Sequence, residues 1–316
     1  MADFTSTREM LKEDVPSVLE VMKASLGETP LLKRTSELFS WKHFDNPFGT
    51  SIILVAEAGD RIVGLRAFMR WDLVTPAGHT VRCVRAVDTA THPDFQRRGL
   101  FRRLTEEALE VAATKGIDLV FNTPNPKSGA GYLTMGWQEV GRVGVLARPS
   151  WRLIRRTTSG RAPDDGSSFV AGGGPVRQEP VQDRCPLGLR THRDSRYWQW
   201  RFISHPTARY YEVSKPGAIA IVRPNVRNKR RELVVSEIQG APIDAMRLAV
   251  RASRAQYIGA WFSPGSPERR ASLRHGLLPM PGLRALTLMA RPLIDLGIDV
   301  TSMNTWDLSV SDLELL

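Results

Sequence analysis

The chain has 316 residues, 42% of them hydrophobic, with a formal net charge of +11 and a pI near 10.2. That length suits two compact domains better than one. No apolar run reaches the roughly 18–20 residues of a membrane helix, and MADFTSTREMLKED lacks the apolar core of a signal peptide, so a soluble, cytoplasmic protein without a membrane partner is expected.

The two cysteines, Cys83 and Cys185, stand apart with no CxxC spacing, and the six histidines show no HExxH-like pattern. Neither a disulfide framework nor a metal site is expected. The positive charge favours anionic partners. The basic residues are nevertheless spread along the chain, and the densest run, NVRNKRRE (225–232), reads as a solvated hairpin tip, so nucleic acid is not the expected partner.

In chain order, Asp14–Leu26 reads as an amphipathic helix with an Asp N-cap and an early Pro. A loop containing SWKHFDNPFG follows. Ser51–Ala58 is then a strand, Gly59-Asp60 a turn and Arg61–Trp71 its hairpin partner, with Val81–Thr91 a further β-branched strand. Leu100–Thr114 is a helix with its apolar stripe on Leu100, Leu104, Ala108, Val111 and Ala112, ended by Lys115-Gly116. The strand Ile117–Asn122, a short helix near 129–134 and a strand after Trp137 close the unit near Pro149. This alternation predicts an α/β (α+β) fold around a mixed sheet flanked by helices.

Residues 151–190 read as a linker, separating a first domain at 1–150 from a second at 191–316. The second echoes the first. YWQWRFISHPTARY (197–210) follows FSWKHFDNPFG, WFSPGSPERRASLRHG (261–276) follows FNTPNPKSGAGYLTMG (121–136), and Ala147-Arg148-Pro149 returns as Ala290-Arg291-Pro292. The order is consistent with a diverged duplication. The second copy runs from the strand Leu233–Ile238 straight into GAPIDAMRLAV, skipping one stretch of the first.

That stretch is HPDFQRRGLFRRL (92–104). It follows a strand, turns at His92-Pro93-Asp94 and enters a helix near Gly99. Free N–H groups at a helix start form a ready nest for phosphate oxygens, and glycine lets the backbone approach closely. Arg97, Arg98, Arg102 and Arg103 add positive field. The other reading is an ordinary charged start to a surface helix.

VDTATHPDFQRRGLFRRL resembles the central motif of the GNAT superfamily of N-acetyltransferases, (Q/R)xxGx(G/A) between a strand and a helix. Asn125, Ser128, Tyr132 and Gly136-Trp137 are similar to that superfamily's downstream pattern, with Ser128 in place of a small Ala. The resemblance covers about residues 6–149. Phe101 departs from it, occupying the usual Gly or Ala position.

The resemblance implies a tandem protein of two GNAT-like domains, the second degenerate, with acetyl-CoA as co-substrate and no metal. It implies that backbone amides of Gln96, Arg97, Arg98, Gly99, Leu100 and Phe101 hold the pyrophosphate. The strand edge Thr89, Ala90 and Thr91 would meet the pantetheine arm and thioester, with Asn125 and Ser128 alongside. Tyr132 matches the family's acid, and a phenol can return a proton to a departing thiolate.

Asp88 is the first candidate base and Glu57 the second; water alone is a third route. Asp312, Glu314 and a free C-terminal carboxylate are further candidates, as in some tandem members. Phe39, Trp41, His43 and Phe44, with Tyr197, Trp198 and Trp200, read either as an acceptor wall or as equivalent core residues of two copies. The implied activity is acetyl transfer to a primary amine of a small molecule, an amino sugar being the first acceptor. The alternatives are a tandem GNAT-fold aminoacyl transferase using aminoacyl-tRNA and a non-catalytic acetyl-CoA-binding module. A homodimer is left open.

Overall fold

The computed structural model describes residues 4–28, 33–150, 167–180, 184–227, 229–280 and 286–313. The chain forms two compact units that interleave along the sequence. The first is drawn from residues 1–73, 80–140 and 288–301, the second from 74–79, 141–287 and 302–316. Part of the stretch expected as a linker, 151–166 and 181–183, lies outside the described residues, as does Glu314 with the chain end.

The first unit contains β1 (Phe4–Glu9), α1 (Val15–Leu26), α2 (Ser36–His43), β2 (Ile52–Ala58), β3 (Arg61–Val74), β4 (Thr80–Thr91), α3 (Leu100–Thr114), β5 (Leu119–Asn122), α4 (Pro126–Thr134) and β6 (Gln138–Val143). The helix α2 replaces the loop expected around SWKHF. Thr35 caps it by accepting from Leu38 N at 3.2 Å, and Asp45-Asn46-Pro47 stops it. Asp14 is also redirected: its carboxylate takes Leu11 N–H at 2.7 Å and leaves the α1 N-terminus without a side-chain cap.

The sheet runs β1-β2-β3-β4-β5-β14-β6, where β14 is Leu286–Pro292. One face buries Ile52, Leu54, Phe68, Val84 and Ala86 against α3 and α4; the other buries Ile53, Val55, Leu65 and Ala67 against α1 and Phe39 of α2.

The second unit holds β7 (Leu146–Pro149), the two-residue strand β8 (Arg190–Thr191), α5 (Ser195–Trp198), β9 (Tyr211–Lys215), β10 (Ala218–Arg227), β11 (Arg230–Gly240), α6 (Pro242–Ala252), β12 (Tyr257–Ala260), α7 (Pro267–Arg274), β13 (Leu278–Pro279) and α8 (Val310–Leu313). Its sheet runs β13-β7-β12-β11-β10-β9. The basic run 225–232 lies at the β10–β11 hairpin, which closes between Arg227 and Arg230.

The two sheets repeat one another and exchange a strand. In the first, β5 is parallel to β4 and antiparallel to β14; in the second, β12 is parallel to β11 and antiparallel to β7. The place between β5 and β6 is therefore filled by β14, although β7 follows β6 in the chain. The repeated Ala-Arg-Pro marks these two strands. Arg291 on β14 donates to Met135 O at 2.5 Å beside Gly136, and Arg148 on β7 donates to His275 O at 3.1 Å beside Gly276.

Candidate functional site

The loop from β4 to α3 brings backbone donors together. Arg97 at φ 62° and Gly99 at φ 77° are both left-handed, alternate residues of one turn. Such alternation folds successive N–H groups toward one concavity. Gly99 is the α3 N-cap and supplies no side-chain acceptor, so the first-turn amides of Leu100 and Phe101 stay uncapped at the positive end of a 15-residue helix. Gln96 secures the loop by donating from Nε2 to Thr91 O at 3.1 Å.

The arginines divide. Arg102 and Arg103 donate at 2.8 Å to Glu106 and Glu107 one turn on, which offsets much of their field. Arg98 donates to Asp94 O and lies over the Phe95 ring at 4.9 Å. Arg97 is exposed and, among the described residues, makes no ion pair.

Beside this loop the sheet opens. β4 pairs with β5 only over Cys83, Val84 and Arg85, yet it continues to Thr91. The backbone of Thr89, Ala90 and Thr91 thus has no β5 partner on that edge, the kind of edge an extended amide-bearing ligand can extend.

A bulge shapes the same stretch. Asp88 has φ 41°, sparsely populated for a residue with a side chain. Val87 and Asp88 both face the α1/α2 side, and Thr89 is returned to the α3/α4 side. Asp88 is held there by Lys42 Nζ at 3.0 Å and His43 Nε2 at 3.1 Å. Burial pushes its carboxyl up, but the Lys42 charge and the His43 hydrogen bond outweigh burial and hold it far below the usual carboxylate range. Burial pushes the His43 imidazole down, so the ring is neutral at pH 7. An ionised Asp88 only accepts, so His43 Nε2 carries the proton and Nδ1 accepts from Ser51 Oγ at 2.9 Å.

Across the open edge stands Tyr132 on α4, 4% exposed. Its Oη accepts from Arg66 Nη1 at 2.7 Å, and the same nitrogen donates to Thr89 Oγ1. The Phe101 ring packs edge-on against Tyr132 with centroids 5.4 Å apart, and a Cβ at Gly131 would meet it at 2.9 Å. Phe101 therefore turns its side chain toward α4, with Gly131 making the room. Asn125 and Ser128 form the α4 cap: Ser128 N donates to Asn125 Oδ1 at 3.0 Å.

The other candidates are engaged elsewhere. Glu57 accepts from Arg8 Nε at 2.8 Å and from Ser6 Oγ. Asp312, in the second unit, accepts from Arg193 at 2.8 Å and from Ser309 N at 2.6 Å. Burial raises its carboxyl, but Arg193 outweighs that and leaves it lowered. Phe39, Trp41, His43, Tyr197, Trp198 and Trp200 are all buried within their own units, which favours the core reading over an acceptor wall. Among the described residues no helix is long and apolar enough to cross a membrane, and no cluster of His, Cys, Asp or Glu could hold a metal.

Comparison with known proteins bears on this arrangement directly. Residues 6–140 match the family model described as an acetyltransferase (GNAT) domain, a span that contains the glycine loop, the bulge and Tyr132. This stretch is similar to a GNAT acetyltransferase domain.

Solved structures extend the likeness of fold over most of the chain. A GCN5-related N-acetyltransferase from Anabaena variabilis aligns at TM-score 0.59 and 13% identity, covering 90% of this chain and 72% of its own. Eis1 from Mycobacterium abscessus aligns at 0.58 and 15%, covering 91% and 73%. The N-myristoyltransferase of Saccharomyces cerevisiae, solved with myristoyl-CoA and inhibitors, aligns at 0.57 and 13%, covering 92% and 81%. No curated protein sequence matches the chain.

Proposed function

We propose that this GNAT-like domain is an acyl-CoA-dependent N-acyltransferase, with acetyl-CoA as donor and a primary amine of a small molecule as acceptor. The observation carrying the proposal is the juxtaposition of three orphaned donor sets. These are the uncapped α3 amides with left-handed Arg97 and Gly99, the unpaired edge of β4 beyond Arg85, and the Tyr132 hydroxyl. Diphosphate, pantetheine amides and a leaving thiolate need donors of those three kinds in that order.

The bound donor would supply a thioester, whose carbonyl carbon accepts the amine. Backbone N–H groups of the Gln96–Phe101 turn would hold the diphosphate. Thr89, Ala90 and Thr91 would pair with the pantetheine arm, and an N–H of that edge would face the oxygen where negative charge develops. Tyr132 would protonate the departing sulfur. Asn125 and Ser128 support this indirectly, by capping the helix that carries Tyr132.

Asp88 is reassigned. A carboxylate held so far below its usual range is a weak proton acceptor, and we propose that it pins the β4 bulge through Lys42 and His43. With Glu57 paired to Arg8, water carries the amine's proton away. An amino sugar remains the first acceptor to test.

Thermal-shift titration with acetyl-CoA, longer acyl-CoAs and free CoA tests the donor, and mass-spectrometric detection of acetylated products from an amine panel tests the acceptor. Saturable stabilisation by acetyl-CoA with transfer to an amine is expected. No stabilisation by any CoA species, together with tight and salt-sensitive tRNA binding, would replace this reading with aminoacyl transfer.

A further inference from the structure

Arg66 lies on β3, fully buried, at the junction of Thr89, Phe101 and Tyr132. Its guanidinium sits 4.8 Å from the Phe68 ring centroid, 5.2 Å from that of Tyr132 and 5.8 Å from that of Phe101. Among the described residues it pairs with no carboxylate, and its Nε and Nη2 find no hydrogen-bond partner. A buried cation without an anion is costly, and three aromatic faces compensate it only in part. Its placement calls for a functional account.

Arginine has five donors and no acceptor. Where Nη1 donates to both Tyr132 Oη and Thr89 Oγ1, each oxygen spends a lone pair on Arg66 and neither hydroxyl proton can point back at it. Both O–H groups are thereby turned away from the guanidinium. We propose that Arg66 is a positioning residue for acyl transfer: it fixes the Tyr132 and Thr89 hydroxyls as a pair of donors facing the ligand and stays beside Tyr132 as the phenol gives up its proton. The inference rests on the acyl-transfer reading above.

The step balances as follows. The amine nitrogen bonds to the thioester carbonyl carbon, the C–S bond breaks and its electron pair leaves on sulfur. The Tyr132 Oη proton passes to that sulfur, and the phenolate oxygen is left against Arg66 Nη1. The proton shed by the amine nitrogen returns through water to the phenolate, restoring the site. Phe101 belongs to the same device. Its ring closes the aromatic enclosure of Arg66, and Gly131 makes the room for it, which gives the departure from the usual small residue a physical purpose.

The test uses the full-length chain, acetyl-CoA and whichever amine the wild type acetylates best. Arg66→Met lowers kcat about 100-fold while KM for acetyl-CoA stays within about threefold. Its thermal midpoint is unchanged or raised, since an unpaired buried cation has gone. Arg66→Lys, one flexible ammonium that cannot hold both hydroxyls in fixed geometry, recovers only part of kcat. In a Tyr132→Phe background, Arg66→Met costs no more than about threefold further, because its effect runs through that hydroxyl.

An Arg66→Met enzyme with wild-type kcat overturns the proposal. So does a double variant whose losses multiply, or a loss of kcat that only accompanies unfolding in Arg66→Met and Arg66→Lys alike. A wild type that binds acetyl-CoA yet neither transfers acetyl to any amine nor hydrolyses the thioester overturns the acyl-transfer reading itself, and Arg66's role with it.

Discussion

The two units share a sheet order and differ in what they leave unsatisfied. In the first, eight residues separate β4 from α3, and the helix opens on an uncapped glycine. In the second, only Ala241 separates β11 from α6, and the first helical residue is Pro242, which has no N–H to offer. Tyr132 on α4 corresponds in the sequence echo to Ser272 on α7, whose hydroxyl donates to Glu268 O within its own helix at 2.8 Å. The buried acids of the second unit are all tied to arginines. Arg184 joins Glu268 to Asp307, and Arg193 joins Glu237 to Asp312. One topology thus yields a unit with an open helix start and a free strand edge, and a second whose corresponding helix start offers no such nest.

The largest test of that contrast is the pin on the bulge. Asp88→Asn leaves Lys42 and His43 facing a neutral amide, and urea unfolding should show a loss of about 3 kcal/mol together with weakened acetyl-CoA affinity. Glu237→Gln in the second unit should destabilise comparably and leave acetyl-CoA affinity unchanged. Equal effects on affinity would erase the distinction between site and scaffold.

Tyr132→Phe should lower kcat about 100-fold or more at nearly constant KM, while Ser272→Ala leaves steady-state kinetics as they were. The glycines separate the units again. Nothing stands within 4 Å of a Cβ at Gly99, so Gly99→Ala costs only the strain of φ 77°, about 1–2 kcal/mol, and should weaken acetyl-CoA binding about tenfold by calorimetry. A Cβ at Gly240 would lie 2.2 Å from Gly217 O, so Gly240→Ala should lower the thermal midpoint and spare affinity.

The smallest expected effect is in pH. Burial lowers the folded His43 pKa, so the unfolded chain binds the extra proton first. Its stabilising contribution is present above the unfolded value near 6.5 and falls away as pH drops toward the folded value. The thermal midpoint of His43→Gln should lack that part of the acid slope; an identical slope would place the titrating group elsewhere.

Much of the first unit was legible in its sequence, because its long elements have clear periods. The α3 boundaries at Leu100 and Thr114 coincide with those predicted, and β2 differs from its predicted strand by one residue. The strand β1 went unread because FTSTRE is short and mostly polar, and α2 because an eight-residue helix carries little periodicity. Arg66 does leave a signal in the sequence: in RIVGLRAFMRW an arginine interrupts a strand apolar on both faces, the pattern of a doubly covered strand. The Lys42–Asp88 contact left none, since the two are far apart in sequence and meet only through the bulge. The Ala-Arg-Pro echo revealed two equivalent strands but could not reveal that each serves the other copy's sheet.

That exchange has a consequence for synthesis. When β6 leaves the ribosome, the first sheet still has a vacant place between β5 and β6, and its filler, β14, ends at Pro292. At cellular elongation rates the gap persists for roughly 7–30 s, long compared with hairpin formation, with two strand edges open to other chains. The turn that follows the helix bearing Tyr132 waits as well, because the Met135 carbonyl is held by Arg291. Of the two sheets, the one begun first in the chain is therefore the one completed last.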